Sequence, residues 1–128
     1  MMTFVDTNVI MYAVGRAHPL REEARAFFEE SLTSDRALAT SAEVLQELMH
    51  AYLPVRRAGT LQAALQLATS TIQTLWPLEP EDVQHAHDLI DSYPGFGARD
   101  LLHLACCQRR GVTAIKTFDR TLAAAFRS

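Results

Sequence analysis

Lysine is nearly absent from this chain: Lys116 is the only one among twelve basic residues, and the rest are arginine. Fifteen acidic residues stand against those twelve, for a formal net charge of -3. That balance excludes a bulk polycation that holds nucleic acid by total charge. Contact with a polyanion must come from a local patch or a bound cation. Cysteine is scarce too. Cys106 and Cys107 are the only two, adjacent in sequence, and neighbours rarely bridge each other. A disulfide-stapled secreted scaffold is therefore excluded. No basic segment runs into an apolar stretch at the start, and no run of about 20 apolar residues occurs. The expectation is a cytoplasmic protein without a membrane span. No repeat, low-complexity tract or linker interrupts the chain. Its 128 residues suit one domain over 1–128, large enough to bury about two-thirds of its unfolded surface.

What the sequence does contain is short apolar runs alternating with helical stretches. Strands are expected at Thr3–Val5, Ala37–Thr40, Thr74–Leu78 and Val112–Lys116, with Pro77 marking an edge or an end. Helices are expected over Val9–Val14, Leu20–Leu32, Ala42–Tyr52, Leu61–Ile72, Glu81–Ser92, Asp100–Arg110 and Asp119–Phe126. In the second of these, Ala24, Phe27, Phe28 and Leu32 form the inward face. Gly111 stops the sixth. Such alternation predicts an α/β fold with a parallel sheet covered on both sides. In these folds ligands bind beyond the carboxyl ends of the strands.

Several acids fall at those ends. Asp6 follows the first strand, Asp119 follows the fourth, and Asp100 opens the helix leading into the fourth. Glu43 and Glu47 lie on the helix after the second. Each has an ordinary structural use. Asp100 and Asp119 could cap helices, and Asp6 could shape a turn, although Asn8 is available to cap the helix that follows. Thr40-Ser41-Ala42-Glu43 matches a capping box, which would occupy Glu43 with the Thr40 amide. Helical spacing puts Leu45, Leu48, Met49 and Tyr52 on the apolar stripe and Glu47 largely opposite, so spacing alone makes Glu47 a solvated residue. If the carboxylates do meet, they need compensating positive charge to stay ionised. Hard oxygen ligands without a His/Cys set suit Mg2+ or Mn2+.

The ordered set of motifs resembles the PIN-domain nucleases, in particular the VapC-type toxins of toxin–antitoxin pairs. Phe4-Val5-Asp6-Thr7-Asn8-Val9-Ile10 is similar to the first motif of that family. Ser41-Ala42-Glu43-Val44-Leu45-Gln46-Glu47-Leu48 resembles the second, in which the acid falls six residues after the serine, at Glu47. Ala98-Arg99-Asp100-Leu101-Leu102-His103-Leu104-Ala105 resembles the third, and Lys116-Thr117-Phe118-Asp119 the fourth. The resemblance covers nearly the whole chain. It implies a single PIN-like nuclease domain, a three-layer α/β/α fold around a short-stranded parallel sheet. It also implies endoribonuclease activity with Mg2+ or Mn2+ held by Asp6, Glu47, Asp100 and Asp119. Thr7, Asn8 and Thr117 would orient those acids. An antitoxin protein and a homodimer are the implied partners, RNA the substrate.

Other signals point elsewhere or nowhere. His103 and Cys107 stand one helical turn apart, but the chain offers no second pair to complete a zinc site. Arg99 and Arg120 adjoin two of the acids and could reach a phosphate; surface ion pairs are as ordinary a use. A hydrolase using Asp6 as a covalent nucleophile would want a second aspartate where Asn8 stands. A PIN-like module that binds RNA or protein without cutting is the other alternative.

Overall fold

In a computed structural model, which describes residues 1–127, four parallel strands form one sheet in the order β3-β2-β1-β4. The strands are β1 (Met2–Val5), β2 (Ala37–Ser41), β3 (Thr74–Trp76) and β4 (Ala114–Lys116). Among the described residues seven helices flank them: α1 (Thr7–Val14), α2 (Pro19–Ser31), α3 (Ala42–Tyr52), α4 (Ala58–Thr71), α5 (Pro80–Asp88), α6 (Ala98–Arg109) and α7 (Arg120–Arg127). The two central strands are apolar and buried on both faces, as Phe4, Val5, Leu38 and Ala39 show; such runs are what a parallel sheet requires. The main core joins these strands to α1 through α4, around Val9, Ile10, Ala24, Phe27, Phe28, Val44 and Leu48. A smaller cluster ties Ala86 of α5 to Leu101 and Ala105 of α6. The parallel sheet covered on both sides that the alternation predicts, and the three-layer α/β/α architecture that the resemblance implies, are observed. No helix among the described residues is long and apolar enough to cross a membrane.

Several local expectations are corrected. Leu32 is not on the inward face of α2: the helix ends at Ser31, and Leu32, its C-cap, is 71% exposed. The capping box at Thr40 does not form. Ser41 is the cap, accepting from the Val44 amide at 3.3 Å, while the Thr40 hydroxyl donates to the Val5 carbonyl at 2.8 Å and ties β2 to β1. Asn8 does not cap α1 either. Asp6 does, and the helix begins two residues earlier than the apolar spacing suggested. The helix over 81–92 is shorter than expected: α5 ends at Asp88, and a separate 3-10 turn covers Ile90–Ser92.

The end of α6 shows how the fold aims β4. Gly111 takes φ of 70°, a left-handed conformation that glycine adopts without a Cβ penalty. Its amide bonds Gln108 O at 3.2 Å, and the Val112 amide bonds Cys107 O at 2.9 Å. This paired pattern satisfies the last carbonyls of the helix and turns the chain toward the sheet edge.

Candidate active site

Strand order reverses between β1 and β4, so their carboxyl ends open a crevice. Asp6 follows β1 and Thr117 and Asp119 follow β4, all at this opening. The crevice is a cleft of about 280 Å³ whose walls include Asp6, Thr7, Asn8, Glu47, Asp100 and Asp119. All four acids named from the sequence thus reach one cavity. A larger groove of about 490 Å³ runs along α4 and the turn before it, past Leu53, Leu61 and Leu65. Its walls carry no acidic group, so the smaller polar cleft is the one equipped for chemistry.

Each acid is held differently. Asp6 is 6% exposed; its Oδ1 accepts from the Thr7 amide at 2.7 Å and its Oδ2 from the Thr117 hydroxyl at 2.7 Å. Thr117 Oγ1 in turn accepts from Asn8 Nδ2 at 3.3 Å and from the Asp119 amide at 3.0 Å. Asn8 Oδ1 accepts from the Phe118 amide at 3.2 Å. Three polar side chains therefore lock the turn after β4 onto the start of α1. Asp119 also caps α7, with Oδ1 accepting from the Thr121 and Leu122 amides at 2.9 and 3.1 Å. The capping role and the place in the cleft coexist. Asp100 does not cap: Gly97 holds that position, and Asp100 lies in the first turn of α6.

Glu47 departs from the helical-wheel expectation. The buried stripe of α3 is Val44, Leu48 and Tyr52, and Met49 is 45% exposed. Glu47 lies beside that stripe with its side chain only 12% exposed, because α3 packs against α1 and α6 as well as α4. Its Oε2 accepts from the Thr7 hydroxyl at 2.8 Å. Glu43, one turn earlier, is half-buried and does not line the cleft.

His103, which the sequence pairs with Cys107 only as an incomplete zinc site, also lines the cleft. It is buried at 1% exposure, with Nε2 2.5 Å from Glu47 Oε1 and 3.7 Å from Asp6 Oδ1. Short as it is, the contact with Glu47 lacks hydrogen-bond alignment, and Glu47 Oε1 and both ring nitrogens of His103 have no hydrogen-bond partner. The signal was present as the spacing Asp100–His103, three apart on one helix, which places both on one face. His50 and Arg99 also line the cleft, while Arg120 does not.

The electrostatics are those of crowded anions. Burial, opposed by His103 and Thr117 and reinforced by Glu47, pushes the Asp6 carboxyl above the ordinary aspartate range. Burial and then the charge of Asp119 push Asp100 upward too. Burial would do the same to Glu47, but the His103 contact and Thr7 draw it below its ordinary value. His103, despite burial, is raised by Glu47 and Asp6. Among the described residues none of the four acids forms an ion pair with lysine or arginine. Ligand atoms of Asp6, Glu47 and His103 all lie within 4.8 Å of one another. Crowded carboxylates without a lysine or arginine ion pair, and buried polar atoms without hydrogen bonds, are a donor set that fits a divalent cation.

The PIN domain family matches residues 3–126. The chain is 63% identical over 127 residues to Ribonuclease VapC23 of Mycobacterium tuberculosis, covering 99% of this chain and all of that protein. In fold it is similar to the crystal structure of M. tuberculosis VapC20, a toxin that cleaves the sarcin-ricin loop: TM-score 0.81 at 17% identity, over 98% of this chain and 95% of the other. It is also similar to VapBC2 from Rickettsia felis, solved bound to a DNA fragment from its promoter: TM-score 0.70 at 16% identity, over 97% and 92%. With a family match along nearly its whole length and a full-length relative at this identity, the chain belongs to the PIN-domain family and, within it, to the VapC proteins.

Proposed function

We propose that this chain is a metal-dependent endoribonuclease, the toxin of a VapBC-type pair, and that it hydrolyses RNA phosphodiester bonds at the cleft between β1 and β4. The observation that carries this reading is the meeting of Asp6, Glu47, Asp100 and Asp119, from four separate parts of the chain, in one cavity. The relationship to VapC ribonucleases supports the RNA substrate and an antitoxin partner. A homodimer and a cytoplasmic location belong to the same reading.

Asp6, Glu47, Asp100 and Asp119 would hold Mg2+ or Mn2+, which when bound supplies Lewis-acid stabilisation of charge on the phosphate. The protein does the rest. Thr117 and the Thr7 amide fix Asp6 so that its orientation survives the repulsion of its neighbours. Thr7 fixes Glu47, and the α7 cap fixes Asp119. A carboxylate held in this way can accept the proton of an attacking water without moving. Arg99, on the wall, is placed to meet a substrate phosphate as a charged fork.

The test is incubation of purified protein with a mixed RNA pool and Mg2+ or Mn2+, then with excess chelator. Cleavage that stops on chelation supports the reading. Metal binding without cleavage of any RNA would favour a non-catalytic binding module.

A further inference from the structure

We propose that His103 is a nitrogen ligand to the divalent cation of this cleft, making it a mixed imidazole–carboxylate site that favours Mn2+ over Mg2+. This inference rests on the metal reading above.

Three observations carry it. The first is placement on the helix. Asp100 and His103 are three residues apart on α6, so one face presents a carboxylate and an imidazole together. Helices that build metal sites from a carboxylate and a histidine use the same spacing. The second is depth. His103 is 1% exposed and Phe4 stands 5.5 Å from its ring, so the imidazole is fixed in orientation. A position that asked only for core filling would take an apolar side chain at no polar cost. The third is the unpartnered atoms. Nε2 of His103 and Oε1 of Glu47 are buried 2.5 Å apart, without the alignment of a hydrogen bond. With Nε2 unprotonated the two atoms repel at that distance unless a cation lies beside them, and a proton on Nε2 offsets that repulsion without the alignment of a hydrogen bond. Asp6 Oδ1, 3.7 Å from Nε2, faces the same point. A cation with ligands at about 2.1 Å holds adjacent ligand atoms about 3 Å apart, so the pair need open by only about half an ångström to receive one.

The ligand type sets the preference. Mg2+ demands oxygen ligands and keeps its waters, whereas imidazole suits transition metals. A cleft of carboxylates alone would discriminate between the two ions far less.

The measurement is pulsed EPR of the Mn2+-loaded protein, comparing ordinary protein with protein labelled with 15N-histidine. The wild type should show a 14N coupling that changes to the 15N pattern on labelling. The coupling should persist in His50→Gln, since His50 also borders the cleft, and vanish in His103→Gln. In His103→Gln, with its fold checked by circular dichroism, the ratio of Mn2+ to Mg2+ affinity should fall by about tenfold or more. Mn2+ that binds without any histidine nitrogen coupling would overturn this inference and leave the carboxylate site standing. A wild type that binds no Mn2+ would overturn both. Where His103→Gln does not fold, the isotope comparison in the wild type and in His50→Gln decides the matter, since a histidine coupling that survives without His50 leaves His103 as the histidine lining the cleft.

Discussion

Thr7 Oγ1 donates to Glu47 Oε2 across 2.8 Å, joining the first turn of α1 to the second turn of α3 forty residues away. The same residue gives its amide to Asp6 Oδ1. One threonine therefore orients two acids of the cleft at once, one through its side chain and one through its backbone.

Substitution separates those two roles. Thr7→Val keeps the amide and the β-branched shape but removes the hydroxyl, and should lower the cleavage rate by about 10- to 100-fold. Thr7→Ser restores the donor and should stay within a few-fold of the wild type. Rates on one RNA with saturating metal make the comparison; equal losses in both variants would mean that the shape of Thr7, not its hydrogen bond, matters.

Glu43 and Glu47 provide the second contrast. Glu47→Gln should abolish most activity, because it removes charge from the cleft. Glu43→Gln should cost little, since Glu43 lies outside the cleft and Ser41 does the capping. Burial, and then the charge of Glu47, push the Glu43 carboxyl upward, so neutralising it should if anything stabilise α3 slightly. Comparable losses of activity at both positions would undo the assignment of the second acid.

Asp100 tests the repulsion directly. Its folded pKa is raised, chiefly by burial and then by Asp119, so its ionisation opposes folding at neutral pH. Asp100→Asn should therefore melt a few degrees higher than the wild type in chelator, about the shift that 1 kcal/mol gives in a domain of this size. Added Mn2+ should raise the melting temperature of the wild type and move that of the variant much less. Asp6→Asn is a poorer probe of the same effect. Thr117 Oγ1 already accepts from Asn8 and from the Asp119 amide while donating to Asp6, so an amide at position 6 would oppose one donor with another.

Acid stability should report on a separate cluster that anchors α5 to α6, the helix carrying Asp100 and His103. Asp82 is fully buried, accepting from Arg109 at 2.6 Å, from Arg110 at 2.7 Å and from the Glu79 amide at 2.8 Å. Although burial pushes its carboxyl up, Arg110, the Glu79 amide and Arg109 hold it well below the ordinary range. A depressed folded pKa stabilises the fold above the unfolded value, near 3.9, and that contribution is lost as pH falls through the folded value. Asp82→Asn should be less stable than the wild type by about 2 kcal/mol at pH 7. Denaturant titrations should show the gap shrinking below about pH 4; a gap independent of pH would mean that the carboxylate charge contributes nothing.

Much of this was legible in the sequence because it is local. Short buried strands followed by acids announce both the parallel sheet and the edge where the cleft opens, as Phe4-Val5-Asp6 does. What was not legible depended on how α3 and α6 meet across the cleft. The wheel put Met49 inward and Glu47 outward because it allows a helix one buried face, whereas α3 has its main core on one side and the cleft on the other. His103 was weighed against Cys107 as a zinc pair, while its partners in space are Glu47 and Asp6, on other elements. The cap at Ser41 is hidden for a similar reason: Thr40 is engaged by the neighbouring strand, a contact that no local pattern displays.

We propose that Asp6, Glu47, Asp100 and Asp119 hold a divalent cation for cutting RNA. The most direct test measures Mn2+ affinity and RNA cleavage on the same preparations of wild type, Glu47→Gln and Asp100→Asn. Cleavage by the wild type should stop with chelator, and both variants should lose metal affinity and cleavage together. Cleavage that survives excess chelator, or that persists undiminished in Asp100→Asn, would contradict this proposal.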